Sequence, residues 1–157
     1  PGAAWGQKQW FADRYAAVAA KLNQYTDKRV IMLGGENDSI CNKIFNLNRD
    51  LIDLSGKTSL RDALSIISLA DYAFGSDTGL LHAAEALSVP VSMILGPTSK
   101  ETGAGVSLAS SKNIASNVWC RPCSQNGKRP CYRSRQFCMD QISIENVTGS
   151  ITERLLA

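Results

Sequence analysis

Apolar residues recur at helical spacing in several segments of the chain, and short apolar runs lie between these segments. The spacing predicts helices over about 10–22, 38–47, 59–69, 77–87 and 143–155. The short β-rich runs predict strands over 29–33, 51–54, 72–74 and 91–95, most of them followed by turn residues. Helices and strands therefore alternate along most of the chain.

Two of these helices carry start signals. Ser59 and Asp62 have the S-x-x-D spacing of a capping box, and Ser143 precedes the last apolar-periodic segment. The apolar positions of the helix after Ser59 are Leu60, Ala63, Leu64, Ile67 and Leu69. We expect these side chains to face the core.

The alternation of strands and helices predicts an α/β fold with a Rossmann-like parallel sheet and helices on both faces. In such a sheet, ligands bind beyond the carboxyl ends of the strands, where loops lead into helix N-termini. The candidate ligand-binding loops are 34–38, 56–59, 75–79 and 96–98.

Length and composition narrow the class of protein. The 157 residues fit one domain, and 44% apolar and 20% charged residues are typical of a soluble globular protein. No window approaches about 18 consecutive apolar residues, and the start lacks a signal-peptide pattern. We therefore expect a cytoplasmic protein, or a fragment of a larger one.

The net charge of +3 is too small to predict nucleic-acid binding. One basic cluster stands out, formed by Arg121, Lys128, Arg129, Arg133 and Arg135. It is either a solvated loop or a surface that meets anionic headgroups or substrate.

Four of the five cysteines, Cys120, Cys123, Cys131 and Cys138, lie in one short stretch, and Cys41 stands alone. The odd count argues against a secreted disulfide framework. The four clustered cysteines can in principle close a tetrahedral zinc site, although the C-x-x-C pair is not repeated. A reduced cluster and a pair of disulfides are the alternatives, and Cys41 is predicted to be a helix core residue.

The stretch FGSDTGLLHAAEALSVPV, residues 74–91, holds the only histidine. A helix that starts near Asp77 turns one apolar side toward the sheet, made of Leu80, Ala83, Ala84 and Leu87. His82 lies about 200° from Leu80 around the helix axis. It therefore belongs to a polar line with Thr78 and Glu85.

This helix start suits a phosphate group. The first amides of a helix have no internal partners and carry partial positive charge. Gly79 permits close backbone approach, and Thr78 and His82 can donate hydrogen bonds. Asp77 would repel phosphate, so we expect it to cap the helix or to orient His82. On spacing alone, an ordinary cap followed by a surface histidine explains the pattern equally well.

Several motifs occur together in a fixed order. They are PGA with Lys8 and Trp10, VIMLGG, LSGKTSL, ADYAFGSDTGLLHAAEALSVPV, LGPT, and C-x-P-C with a later CM. The set resembles the C-terminal half of family 9 glycosyltransferases, the lipopolysaccharide heptosyltransferases and their relatives, over nearly the whole chain.

The resemblance implies a two-domain GT-B enzyme in which residues 1–157 form the single donor-binding domain. Such an enzyme transfers a sugar, typically heptose from ADP-heptose, to a lipid-linked saccharide of the lipopolysaccharide core. It inverts the anomeric centre and requires no metal ion. The resemblance also implies a cytoplasmic enzyme, with peripheral contact at the inner face of the bacterial inner membrane as a further expectation.

The resemblance also assigns candidate binding residues. Lys8 matches the position where the family has a lysine that contacts the donor phosphates. Thr78, Gly79 and His82 match the family's D-[ST]-G-x-x-H element, which holds the pyrophosphate, and Asp77 is the acid of that element. Thr58, Ser59 and Leu60 are expected to line the site that binds the nucleobase and ribose. An acid after Gly34 and Gly35 serves the ribose hydroxyls; both Glu36 and Asp38 fit, and Asp38 is preferred.

The family's catalytic base is an aspartate of the N-terminal acceptor domain, which this chain lacks, so we expect no catalytic residue here. The family also has a strand that leads into the PGA motif. We therefore expect a fragment that binds donor poorly and does not catalyse transfer alone.

Two other classes compete with this interpretation. One is a non-catalytic nucleotide-binding or zinc-stapled interaction module. The other is a dinucleotide oxidoreductase, which the sheet pattern permits, but no G-x-G-x-x-G follows the strand RVIML.

Overall fold

The computed structural model describes residues 1–156. The helices are α1 Ala12–Tyr25, α2 Ser39–Leu47, α3 Leu60–Ser68, α4 Gly79–Ala86, α5 Phe137–Asp140 and α6 Ile144–Leu155. The strands are β1 Ile31–Met32, β2 Ile52–Asp53, β3 Ala73–Ser76, β4 Val91–Leu95 and β5 Lys112–Ala115. Short 3-10 turns occur at Gly6–Lys8 and Lys100–Thr102.

The predicted helices and strands are all present, with shorter first and second strands. The capping box of Ser59 and Asp62 is observed, and the Ser143 side chain accepts a hydrogen bond from the Asn146 amide. Strand β5 was not predicted, because only Ile114 of its four residues is buried and no apolar run marks it.

The strands form two parallel sheets. In one, β1 pairs with β2, and Ile31 lies opposite Ile52. In the other, β4 lies between β3 and β5, with Phe74 opposite Ser92 and Ile94 opposite Ile114. Within residues 1–156, β1 and β3 are not hydrogen-bonded to each other.

Strand β4 separates two helical layers. All five of its residues are buried, as in a parallel sheet that is covered on both faces. Ile94 packs in the cluster that contains α1 and α6, whereas Met93 and Leu95 pack in the cluster that contains α3 and α4. This arrangement confirms the predicted α/β fold with helices on both faces.

Strands β1 and β3 alternate between the same two layers. Met32 and Phe74 pack against the α1 and α6 cluster, and Leu33 and Ala73 pack against the α3 and α4 cluster. The two sheets therefore pack between the same two helical layers. A cavity of about 1100 Å³ separates β1 from β3.

The buried faces of two helices differ from the prediction. In α4, Leu81 is buried and Leu87 is exposed, because the helix ends at Ala86 and Ser88 turns the chain at φ 63°. In α3, Ala63 and Ile67 are buried, but Leu60 and Leu69 are 69% and 87% exposed. Both leucines border the cavity between the sheets and are exposed to it.

No helix within residues 1–156 combines the length and the apolar character that a membrane span needs.

Candidate functional site

A buried carboxylate organises the end of β3. Asp77 follows the strand directly and is only 5% exposed. Its Oδ2 lies 2.7 Å from Lys8 Nζ, and its Oδ1 lies 3.0 Å from His82 Nε2. The hydroxyl of Thr98 donates to Oδ2 over 3.3 Å. Three elements that are distant in sequence therefore meet at one side chain.

The surroundings of Asp77 set its charge. Burial alone would raise the pKa of this carboxyl group, but the hydrogen bonds and positive charges of Lys8 and His82 outweigh burial, and the pKa lies below its ordinary value of 3.8. Asp77 is therefore ionised at neutral pH. An ionised carboxylate only accepts hydrogen bonds, so His82 Nε2 carries the proton in this contact.

Asp77 orients His82 and does not cap the helix. Of the two roles predicted for it, only the orienting one is observed. Thr78 is the N-cap residue of α4, and its side chain makes no capping hydrogen bond. The first amide that bonds back to Thr78 is that of Leu81. The amides of Gly79 and Leu80 therefore remain available at the start of the helix.

The start of α4 is also open in space. Gly79 is exposed, and a Cβ atom added there would meet nothing within 4 Å among the described residues. The backbone of this turn can therefore be approached closely from outside, as the sequence predicts for a ligand.

Lys8 is also contacted by a segment other than that of Asp77. It ends the first 3-10 turn, and its side chain is 15% exposed. Gly127, at φ 83°, lies against the Lys8 stem so closely that a Cβ atom would overlap it. The Gly127 amide donates to the hydroxyl of Ser124 over 3.0 Å. The cysteine-rich segment thus helps to position Lys8.

A buried network below the site joins α1 to β3. The hydroxyl of Ser76 lies 2.9 Å from the hydroxyl of Tyr15 and accepts the Trp10 amide over 3.3 Å. Burial raises the pKa of Tyr15, so its hydroxyl stays neutral. Trp10 packs edge-on against Tyr15 at 5.1 Å between ring centroids. The network fixes the segment that carries Lys8, and sequence reasoning did not identify it.

Thr98 was also missed as a site residue. It follows β4, the strand next to β3, so their carboxyl ends meet at one edge of the sheet, and this signal was available from the LGPT motif. Arg121 fixes this loop by donating to the carbonyls of Thr98 over 2.8 Å and Ser116 over 3.0 Å. Arg121 is therefore bonded to its own chain and does not belong to a solvated basic surface.

The cavity between the sheets brings some candidate residues together. Its lining includes Asp38, Leu60, Thr78 and Gly79. The other candidates, Lys8, Thr58, Ser59, Asp77 and His82, do not belong to the lining among the described residues. The candidate site therefore consists of the cavity and of a group of polar side chains outside its lining.

Asp38 lies close to the first residues of the chain. Its Oδ2 accepts the Gly35 amide over 2.8 Å. A Cβ atom added to Gly2 would lie only 2.6 Å from the Asp38 carboxylate, so glycine is required there. Glu36, the alternative acid, is exposed and packs beside Gly56.

Ser59 serves its own helix. Its hydroxyl accepts the Asp62 amide over 3.2 Å, and the Asp62 carboxylate accepts the Ser59 amide over 3.2 Å. The side chain is therefore engaged in capping α3, while Leu60 beside it projects an exposed apolar surface.

The cysteines are free, and none of those described forms a disulfide. Cys41 is buried in the core cluster, as predicted. Burial raises the pKa of Cys123 and Cys138. Within residues 1–156, no group of three or more His, Cys, Asp or Glu side chains is placed to hold a metal ion, so the zinc hypothesis is not confirmed.

Known proteins are similar to this chain in sequence. The family model of glycosyltransferase family 9 (heptosyltransferase) matches residues 1–132. Lipooligosaccharide heptosyltransferase 2 of Campylobacter jejuni subsp. jejuni serotype O:2 is 26% identical over 152 residues, which cover 94% of this chain and 47% of that protein. The chain thus spans about half the length of this curated relative.

Solved structures share the fold. ADP-heptose lipopolysaccharide heptosyltransferase II of E. coli superposes with a TM-score of 0.77 at 22% identity, over 99% of this chain and 45% of that one. The dodecameric iron-containing heptosyltransferase TibC, in complex with ADP-D-beta-D-heptose, superposes with a TM-score of 0.76 at 20% identity, over 99% and 43%. At these identities the likeness establishes the α/β fold.

Proposed function

The chain belongs to glycosyltransferase family 9, and from this premise we propose that it is the nucleotide-sugar donor-binding domain of an inverting glycosyltransferase. In this proposal it forms the C-terminal half of a GT-B enzyme, and the donor is ADP-heptose. The full-length enzyme transfers heptose to the lipopolysaccharide core. The names of the relatives support the choice of sugar and acceptor.

One observation carries the proposal. The N-terminus of α4 lacks a side-chain cap, opens to the outside, and has Lys8 and His82 beside it on a shared carboxylate. A diphosphate leaving group needs fixed donors where its negative charge develops. Helix amides, an ammonium and an imidazole supply such donors without a metal ion.

Lys8 and His82 can contact Asp77 and a phosphate at the same time. The Lys8 ammonium has three N–H donors, and Asp77 uses one of them. His82 donates a hydrogen bond from Nε2 to Asp77, which leaves Nδ1 free to contact a phosphate oxygen or its proton. Asp77 is therefore a positioning residue that does not touch the ligand.

The rest of the donor is assigned to the cavity. Asp38 can accept the ribose hydroxyls, since its carboxylate borders the cavity near Gly2. Thr58, Ser59 and Leu60 are proposed to line the nucleobase and ribose, with the exposed Leu60 surface as the main apolar contact.

The general base belongs to another domain in this proposal. Inverting transfer requires a base on the acceptor hydroxyl as well as stabilisation of the departing diphosphate. The residues described here supply the second function. The base, the lipid-linked saccharide acceptor and a peripheral position at the inner face of the bacterial inner membrane are assigned to the full-length protein, together with a cytoplasmic location.

Calorimetric titration of the full-length protein with ADP, UDP and NAD tests the proposal. We expect ADP to bind most tightly, and Lys8→Ala or His82→Ala to weaken ADP binding by about tenfold, or about 1.4 kcal/mol. Lys21→Ala is the matched control, since Lys21 pairs with Glu145 between α1 and α6. Equal binding of ADP and NAD, or unchanged affinity in both site variants, would contradict the proposal.

A further inference from the structure

The sugar of the donor has no contacts among the residues assigned above. The contacts in the cavity reach the nucleobase and the ribose, and Lys8, His82 and the amides at the start of α4 reach the diphosphate. In a nucleotide sugar the diphosphate joins the nucleoside at one end to the sugar at the other. The sugar therefore lies beyond the diphosphate, on the side away from the nucleoside.

The candidate site has the same order in space. Thr78 and Gly79 line the cavity, whereas Lys8 and His82 lie outside its lining among the described residues. A diphosphate that leaves the cavity at the start of α4 continues toward Lys8, and its far end carries the sugar. The residues that border Lys8 outside the cavity are therefore the candidates for contact with the sugar.

Trp5 and Lys128 border Lys8, and neither belongs to the cavity lining among the described residues. The Lys8 amide donates to the Trp5 carbonyl over 2.9 Å, which closes one 3-10 turn. Gly127 packs on the Lys8 stem. The next residue, Lys128, places its Nζ 5.4 Å from the centre of the Trp5 ring. Lys8, Trp5 and Lys128 thus lie side by side.

Both neighbours of Lys8 are accessible to a ligand. Trp5 is 38% exposed, whereas Trp10, five residues later, is 1% exposed. Lys128 is exposed and pairs with no carboxylate within residues 1–156. Its ammonium has three N–H donors, which can serve a ligand.

We propose that Trp5 and Lys128 contact the sugar of the nucleotide-sugar donor and contribute to its recognition, an inference that rests on the proposed function. The C–H groups of a sugar ring pack against an aromatic ring, and the sugar hydroxyls accept hydrogen bonds from an ammonium. Small-molecule sites combine aromatic surface with a few placed polar groups in this way.

The tip of the cysteine-rich segment, residues 120–138, thereby takes part in donor recognition directly. A side chain at Gly127 would overlap the Lys8 stem, so this close packing holds Lys128 at a fixed place beside the phosphate contact. The Ser124 hydroxyl accepts the Gly127 amide over 3.0 Å, and both residues are buried. The tip is therefore an ordered part of the site, and only its charged side chains are solvated.

A second phosphate contact explains these residues less well than a sugar contact. A phosphate group is bound by cations and amides, so it would use Lys128 and leave the exposed ring of Trp5 without a role. A sugar uses both side chains. ADP and ADP-heptose distinguish the two cases, because they share the diphosphate and only ADP-heptose carries the sugar.

Calorimetric titration of the full-length protein with ADP and with ADP-heptose, in the absence of acceptor, tests the inference. We expect Trp5→Ala to weaken ADP-heptose binding at least about tenfold and to leave the ADP affinity within about twofold of wild type. Trp119→Ala is the matched control and should change neither affinity, since Trp119 is also exposed and lies 5.6 Å from the Arg133 guanidinium. Unchanged ADP-heptose affinity in Trp5→Ala, or equal losses for the two ligands, would overturn the inference.

Lys128→Gln tests the same surface and decides if Trp5→Ala does not fold. Lys128 is exposed, so we expect the fold to be kept, and the loss of affinity to be about threefold to fivefold greater for ADP-heptose than for ADP. Arg129→Gln, at the neighbouring exposed cation, is the control and should affect the two ligands equally. Equal losses for ADP and ADP-heptose in Lys128→Gln would overturn the inference.

Failure of the proposed function gives a different pattern. Lys8→Ala and His82→Ala then bind ADP as tightly as the wild type, and the inference is lost together with the proposed function. If these two variants lose ADP affinity while Trp5→Ala and Lys128→Gln keep full ADP-heptose affinity, the inference alone is overturned.

Discussion

The N-termini of α3 and α4 each have a hydroxyl N-cap residue and a nearby aspartate, and they use the aspartate differently. At α3, Ser59 and Asp62 close a reciprocal capping box, so the acid serves its own helix. At α4, Asp77 makes no capping hydrogen bond and instead contacts Lys8, Thr98 and the His82 side chain of the helix. The amides at the start of α4 thus stay free of side-chain caps.

The difference shows how one residue type closes or opens an anion site. A capping carboxylate uses the amides that an anionic ligand would need. A carboxylate that binds cations beside the helix leaves those amides available and holds positive charge near them. The capping box at the N-terminus of α3 stabilises its own helix. The N-terminus of α4 is suited to bind a diphosphate, and α4 lacks the stabilisation that a side-chain cap would give.

The largest effect on the free energy of unfolding is expected when the carboxylate of Asp77, at the start of α4, is removed. Asp77→Asn leaves the ammonium of Lys8 nearly buried without a charged partner, and breaking such a buried pair costs about 3–5 kcal/mol. Urea unfolding measures the loss. Asp62→Asn, at the exposed capping box, is the matched control and is expected to cost much less. Equal losses of stability in the two variants would contradict the distinction between the N-termini of α3 and α4.

A side chain at the open helix start should affect binding and not folding. Gly79→Leu projects into open space, so we expect stability to be kept and ADP affinity to fall at least about tenfold, because the helix amides are shielded. Gly149→Leu is the control, since Gly149 is also helical and exposed, with open space at its Cβ position. Unchanged ADP affinity in Gly79→Leu would show that the ligand does not approach α4.

The two N-cap residues allow a direct comparison of capping. Ser59→Ala removes a hydroxyl that accepts an amide and should cost about 1 kcal/mol. Thr78→Ala removes a hydroxyl that makes no capping bond and should cost close to nothing. Thermal or urea unfolding of both variants checks the difference. Equal costs would mean that Thr78 caps α4 in solution.

Low pH should lower the free energy of unfolding through protonation of Asp77. Its pKa is lowered in the folded protein, so its contribution to the free energy of unfolding is present above its ordinary value of 3.8 and is lost as the pH falls through the lower folded value. We expect Asp77→Asn to flatten the fall in stability below about pH 4. An unchanged acid slope would mean that Asp77 has the same pKa in the folded and unfolded protein.

The sequence predicted what depends on local spacing. The capping box of Ser59 and Asp62 and the contact of Asp77 with His82 each join residues within five positions of each other. The contacts of Asp77 with Lys8 and Thr98 depend on how strands are ordered in the sheet. Spacing along the chain does not contain that information, and Lys8 was placed near the phosphates only through a family resemblance.

The errors also have physical causes. Strand β5 pairs with β4 through backbone hydrogen bonds, and its mostly polar residues leave no apolar run to detect. Leu60 and Leu69 follow the helical period correctly, yet they are exposed and border the cavity that β1 and β3 also line. The periodicity therefore identified the apolar side of the helix, and the position of this side next to the cavity decided its exposure.

A crystal structure of the full-length protein with ADP tests the central claim most directly. We expect the diphosphate within hydrogen-bond distance of the Gly79 and Leu80 amides and of His82 Nδ1, with Lys8 Nζ donating to it and Asp77 still in contact with both side chains. A nucleotide bound elsewhere, with the start of α4 empty or filled by side chains, would contradict the claim.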